Sequence, residues 1–232
     1  MRKASKREKK AIYRYNEDDE RTLLEDILGF VKVFAITAIV ILIFMNFIAH
    51  PIKVNGRSMD PTLQDGEFGF TNLVSVWTGQ IHRYDIVVVT TDQEVTNEET
   101  KETTTEEIQI VKRVIGMPGD TISCIDDEIY INGAQIDESD YIDPSYIEEC
   151  RDQYGYFNAV EQVTKDDDGK TIVDYVDFEE VTLGDDEYFV MGDNRPVSKD
   201  SRDPSIGVIK KSQIYGVGVL VLLPFEQIGI KG

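Results

Sequence analysis

Apolar residues crowd every face of one early stretch and then, for most of the chain, alternate with polar ones. From Gly29 to Ala49 the run is 21 residues long with Lys32 as its one charge. As a helix rising about 1.5 Å per residue, it matches a hydrocarbon core of about 30 Å. Apolar cover on all sides argues for lipid rather than a half-buried surface helix, and Lys32, near one end, can snorkel. The run is longer than the apolar region of a cleaved leader, and Phe47 to Pro51 lacks a small-x-small pattern, so it reads as a retained anchor. Past Pro51 come short β-branched runs bounded by turn residues. They predict strands at 52–54, 68–70, 85–89, 108–115, 121–125, 129–131, 187–191 and 216–223. Asn132-Gly133 predicts a tight hairpin, and no later segment sustains a helical period. The expected fold is therefore mostly β, an antiparallel β-sheet domain preceded by one N-terminal transmembrane helix. The expected organisation is a tail over 1–28, the membrane helix over 29–49 and a β-rich domain over 50–232. Two acidic insertions, 90–107 and 137–184, read as solvated loops or hairpin arms.

Charge narrows the partners. The formal net charge is −20, and residues 1–28 hold eight Lys/Arg against seven Asp/Glu, so the other 204 residues carry −21. A surface that acidic repels phosphate backbones, which sets nucleic acid aside. Six of the first ten residues are basic. By the positive-inside rule the N-terminus is then cytoplasmic and everything after His50 extracytoplasmic, in a single-pass protein of the cell membrane. The lipid bilayer is thus an expected partner. Cys124 and Cys150 have no neighbours at metal-ligand spacing, so no metal or cofactor is expected. Outside the membrane the two thiols could pair, closing a loop with 25 residues between its ends, and the sequence leaves them either joined or free.

Three stretches carry candidate chemistry. Ser58 lies in a turn between an apolar strand and a Pro-led loop, a setting in which most serines only hydrogen-bond their own backbone. Lys112 stands within the β-branched run 108–115, sharing a strand face with Ile110 and Val114, while Val111, Arg113 and Ile115 point the other way. Taken alone, it fits a surface lysine on an edge strand. Residues 192–202 are dense in polar groups just after the apolar 188–191. With only His50 and His82 in the chain, and neither in these stretches, a Ser-His-Asp triad has little to be built from. A lysine amine kept neutral by burial is the available base for a serine nucleophile.

Taken together, Gly56-x-Ser58-Met59-x-Pro61-Thr62-Leu63, Lys112-Arg113-Val114-x-Gly116-x-Pro118-Gly119-Asp120 and Gly192-Asp193-Asn194-Arg195-x-x-Ser198-x-Asp200-Ser201-Arg202 resemble the type I signal peptidases in residue type, order and spacing. The resemblance implies a membrane-anchored serine endopeptidase that removes signal peptides from secreted preproteins after an A-x-A-like site. It makes Ser58 the nucleophile and Lys112 the general base, with Ser198 holding the amine and Asp200 and Arg202 in a supporting ion pair. Arg113 and Asp193 belong to the same supporting set. The implied substrate lies extended between 52–55 and 109–111, with Ile52, Val54, Met59, Leu63, Ile110 and Val111 lining its small subsites. Without the resemblance those six read as ordinary core. Two departures stand out: Pro196-Val197 replaces the Asp-Asn of many members, and Gly56 stands where some carry a serine that helps bind the oxyanion. A self-cleaving Ser/Lys protease of the repressor type and an acidic binding module on a membrane stalk are the competing readings. The first lacks a DNA-binding motif here, and the second leaves three motifs to coincidence.

Overall fold

The computed structural model describes residues 23–96, 103–165 and 168–231, so the basic start of the chain lies outside them. Two compact units meet in sequence between Asn46 and Phe47. The first holds helix α1, Leu23–Phe47, which buries none of its residues and is long and apolar enough to cross a membrane. It begins six residues before the expected span and stops two short of it. Glu25 and Asp26 suit a helix N-terminus, and the backbone ladder does not end where apolar side chains begin.

The second unit is built on strands. In chain order these are β1 (Ala49–Lys53), β2 (Phe68–Asn72), β3 (Ile86–Thr96), β4 (Thr103–Gly116), β5 (Thr121–Ile125), β6 (Glu128–Ile131), β7 (Ala134–Gln135), β8 (Val160–Lys165), β9 (Thr171–Val176), β10 (Val181–Thr182), β11 (Glu187–Met191), β12 (Ile209–Lys210), β13 (Ile214–Leu223) and β14 (Gly229–Lys231). The main antiparallel sheet runs β1-β2-β13-β3-β4-β11-β12, with β14 also on β13, while β10-β5-β6-β7 form a smaller sheet. Asn132 and Gly133 both take positive φ in the β6–β7 hairpin, as the dipeptide predicts.

Strand alternation explains the layering. In β3 every residue from Ile86 to Val89 is buried, with Val87 and Val89 packing in one core cluster and Ile86 and Val88 in another. β11 divides likewise, Tyr188 and Val190 facing the first cluster and Phe189 and Met191 a third. Strands covered on both faces read as unbroken apolar runs. The central sheet therefore forms a rigid frame from which β4 and the loop after β11 can present polar groups.

The two insertions differ. The first lengthens the β3–β4 ladder as far as Thr96 opposite Thr103, and its residues 97–102 lie outside the described ones. The second corrects the expectation, because it holds a helix (α2 below) and contributes to the core. A short helix in the loop after β2, Val74–Thr78, buries no residue fully and lays only Val76 against the core. Helix α2, Pro144–Tyr154, is capped by the Asp143 side chain and ended by Gly155 at φ +86. Ile142, Cys150 and Phe157 form a small core, and Glu138 and Asn158 are buried beside it. With 11 residues and Cys150 its one buried member, the helix shows no period to read. Only the β8–β9 hairpin behaves as a solvated arm. Asp127, in the β5–β6 turn, ties the insertion down by accepting the Phe157, Asn158 and Ala159 N–H groups and pairing with Arg151 at 2.9 Å. Cys124 and Cys150 are separate buried thiols, not a disulfide.

Candidate active site

The Ser58 turn is set from both ends. Past β1, the Val54 N–H donates to the Glu67 carbonyl at 2.8 Å and the Gly66 N–H to the Val54 carbonyl at 2.9 Å. Gly56 then turns at φ +88, a left-handed conformation that suits glycine, and donates to Asp65 Oδ1 at 2.7 Å. On the far side Met59 and Leu63 are buried, which fixes the turn against the core.

Lys112 projects from β4, and its Nζ lies 2.8 Å from Ser58 Oγ and 3.0 Å from the Val111 carbonyl. The residue is 3% exposed. Burial pushes its pKa down from 10.5 to about 8; Arg202 acts in the same direction, and Asp200 and Asp193 oppose it. The Ser58 hydroxyl thus sits within hydrogen-bond distance of an amine whose neutral form predominates above about pH 8.

Supporting contacts come from the loop after β11. Arg113 and Asp193 form a buried bidentate pair at 2.8 and 2.6 Å, and Thr62 donates to the same carboxylate at 2.6 Å. The Asn194 N–H donates to the Ser58 carbonyl at 3.0 Å and its amide to the Arg57 carbonyl at 3.1 Å. Asp200 pairs with Arg202 through two contacts of 2.8 Å and accepts the Gly192 N–H at 3.0 Å. Burial alone would raise the Asp200 pKa, but the Arg202 guanidinium holds it below the ordinary range.

Ser58 and Lys112 open onto a cleft of about 930 Å³, lined further by Ile108, Ile110, Val197 and Ile206. A second cleft of about 1120 Å³, between 156–181 and 195–208, contains neither residue, so volume is no guide to the chemistry here.

A family model described as "Signal peptidase, peptidase S26" matches residues 27–223. The chain belongs to this family. It is a serine peptidase, a hydrolase. It is similar to Signal peptidase I S of Bacillus subtilis (strain 168), 35% identical over 203 residues that cover 88% of this chain and 92% of that protein. Signal peptidase I of Bacillus amyloliquefaciens is 33% identical over 213 residues, covering 92% and 97%. A crystal structure of a signal peptidase I from Enterococcus faecalis V583 matches at 26% identity over 59% of this chain and 95% of that one, with a TM-score of 0.34, too loose a likeness to bear on the fold.

Of the residues that the signal peptidase motifs single out, Ser58, Lys112, Arg113, Asp193, Asp200 and Arg202 come together. Ser198 differs. Its hydroxyl is buried with no hydrogen-bond partner, packed over Gly192, so the expected bond to the amine is not made. It still acts on Asp200 as a donor that helps hold that carboxyl's pKa down, although the contact falls short of hydrogen-bond geometry. The six expected subsite residues also divide. Ile110 lines the cleft, whereas Ile52, Val54, Met59 and Leu63 are buried in one core cluster with Val111 packed against it. The reason is alternation: Ile110 shares the Lys112 face of β4 and Val111 the opposite one.

Sequence reasoning assigned no role to Asn194, Arg195 or Glu138. Asn194 lay inside a motif, with nothing local to show that it would clamp the Ser58 turn. Arg195 and Glu138 are buried partners 57 positions apart, a relation that neither segment betrays by itself.

Proposed function

We propose that this chain is a membrane-bound serine endopeptidase that removes N-terminal signal peptides from secreted preproteins after an A-x-A-like site, with Ser58 as nucleophile and neutral Lys112 as general base. The observation that carries the reading is the 2.8 Å contact between Lys112 Nζ and Ser58 Oγ, made by a buried amine whose pKa falls to about 8. Lys112 takes the hydroxyl proton as Ser58 attacks the scissile carbonyl, then returns it to the departing amine. The same amine activates the water that clears the acyl-enzyme. The Ser58 N–H, which donates to no other group among the described residues, serves the oxyanion. Ser198, its buried hydroxyl packed over Gly192, keeps only the supporting place that the family motif gives it.

The substrate binds as an added strand. Residues 105–112 of β4 pair with β3 on one side only, and β1 pairs only with β2, leaving two open edges among the described residues. Backbone hydrogen bonds to these edges hold an extended peptide over the 930 Å³ cleft. Ile110, on the Lys112 face of β4, lines the cleft and bounds the room left for the residues at the cut. Helix α1 anchors the enzyme in the bilayer with the basic N-terminus in the cytoplasm.

The test is to incubate the detergent-solubilised full chain with a secretory precursor and map the cut by mass spectrometry. One cut directly after the second alanine of an A-x-A site is expected. No cleavage, or cleavage elsewhere that persists in Ser58→Ala, would overturn the reading.

A further inference from the structure

The acidic insertion reaches into the loop that supports the Ser58–Lys112 pair. Arg195 is 1% exposed, and its Nε donates to the Gly192 carbonyl at 2.9 Å. Its Nη1 meets Asn158 Oδ1 and the Glu138 carboxylate, and its Nη2 donates to the Tyr141 hydroxyl at 3.0 Å. Tyr141 in turn donates to Glu138 Oε1 at 2.9 Å, and Asn158 donates to Oε2 at 2.5 Å. The Phe157 ring lies 5.4 Å from the guanidinium carbon. Glu138 is thus the one carboxylate paired with Arg195 among the described residues, and it comes from outside the three motifs.

Gly192 is the link to the chemistry. Its carbonyl accepts from Arg195, its N–H donates to Asp200, and a Cβ placed there would lie 2.3 Å from both the Ser58 carbonyl oxygen and Ser198 Oγ. With no slack between Gly192 and the Ser58 turn, the placement of one dictates the placement of the other.

We propose that Glu138 is a positioning residue for the Ser58–Lys112 pair, acting through Arg195 and the Gly192 carbonyl; the inference rests on the dyad reading above. A buried guanidinium that loses its carboxylate must move or draw in water. Either response releases the Gly192 carbonyl, and small misplacements of reacting groups are costly in rate. Arg151 offers the matched control, because its pairs with Asp127 and Glu128 hold α2 to the β5–β6 turn without touching Arg195.

The experiment compares Glu138→Gln, Tyr141→Phe and Arg151→Met in the full chain, in detergent, by precursor cleavage, thermal unfolding and hydrogen exchange read by mass spectrometry. Glu138→Gln is expected to lower kcat at least about 10-fold with KM within about 2-fold, because a transition-state alignment is lost rather than a binding contact. Exchange should quicken across 191–202 and stay as in wild type across β3 and β4. Tyr141→Phe should move both readouts the same way by about 3-fold, since it removes the hydroxyl between Arg195 and Glu138 but leaves their own pair. Arg151→Met should lose thermal stability yet keep its kcat. Wild-type exchange across 191–202 in Glu138→Gln, or activity losses that merely rank with unfolding temperature, would overturn the proposal. Should Glu138→Gln not fold, unchanged exchange and kcat in Tyr141→Phe would overturn it instead. A wild-type chain that does not cut the precursor sinks the dyad reading, while the exchange data still report whether Glu138 holds the loop.

Discussion

The Asn194 N–H donates to the Ser58 carbonyl at 3.0 Å, so a loop 136 positions downstream holds the turn that carries the candidate nucleophile. The Asn194 side chain repeats the grip on the Arg57 carbonyl. Asn194→Ala keeps the backbone bond and loses the side-chain one. Its expected effect is a fall in kcat of about 10-fold with KM little changed, since the turn loosens without losing a substrate contact. Steady-state kinetics on one peptide substrate would check it, and a change confined to KM would count against the clamp.

On the proposed Ser/Lys reading, Lys112 sets the pH dependence. With its pKa pushed down to about 8, the neutral base is the minor form at pH 7 and the major form above pH 8, so kcat/KM should rise through about pH 8. Lys112→Arg should be inactive across the range because guanidinium stays protonated. Replacing His50 and His82 together should leave the profile unchanged. A pH series on the three proteins tests this, and an acidic limb that vanishes with the histidines would refute the dyad.

The same burial should cost stability. A lysine whose folded pKa lies below its unfolded value of 10.5 penalises the folded state, fully below about pH 8 and less as pH climbs to 10.5. Lys112→Met should therefore be more stable than wild type at pH 7, by up to about 3 kcal/mol, with the gap closing towards pH 10.5. Urea unfolding in detergent at pH 7 and pH 10 measures it. A gap that widens with pH would have the wrong sign.

Arg113 and Asp193 pose the opposite case, a buried pair whose members are 3% and 0% exposed. Asp193→Asn leaves the guanidinium without its charge partner and strips Thr62 of a carboxylate acceptor. The expected loss is about 3–5 kcal/mol of stability. Replacing both residues with apolar ones of similar volume should recover part of that loss, which a double-mutant cycle would reveal.

Much was legible in the chain itself, because its signals are local. The all-round apolar run marked α1, period-two alternation marked the strands, and Asn132-Gly133 marked a hairpin. The spacing of three motifs marked the family and the residues from which a Ser/Lys site would be drawn. Burial of polar groups was not legible. Alternation placed Lys112 on a face with Ile110 and Val114 but could not say whether that face was covered, and taken alone an edge-strand lysine fitted the local pattern better. Coverage came from the Ser58 turn and the loop after β11, segments distant in sequence that only the fold brings over the amine. The same limit hid Glu138 beside Arg195, left Ser198 without its expected bond and turned four expected subsite residues into core. A side chain's local period shows which way it points, whereas its solvent, charge partners and therefore its protonation belong to whatever the tertiary structure packs against it.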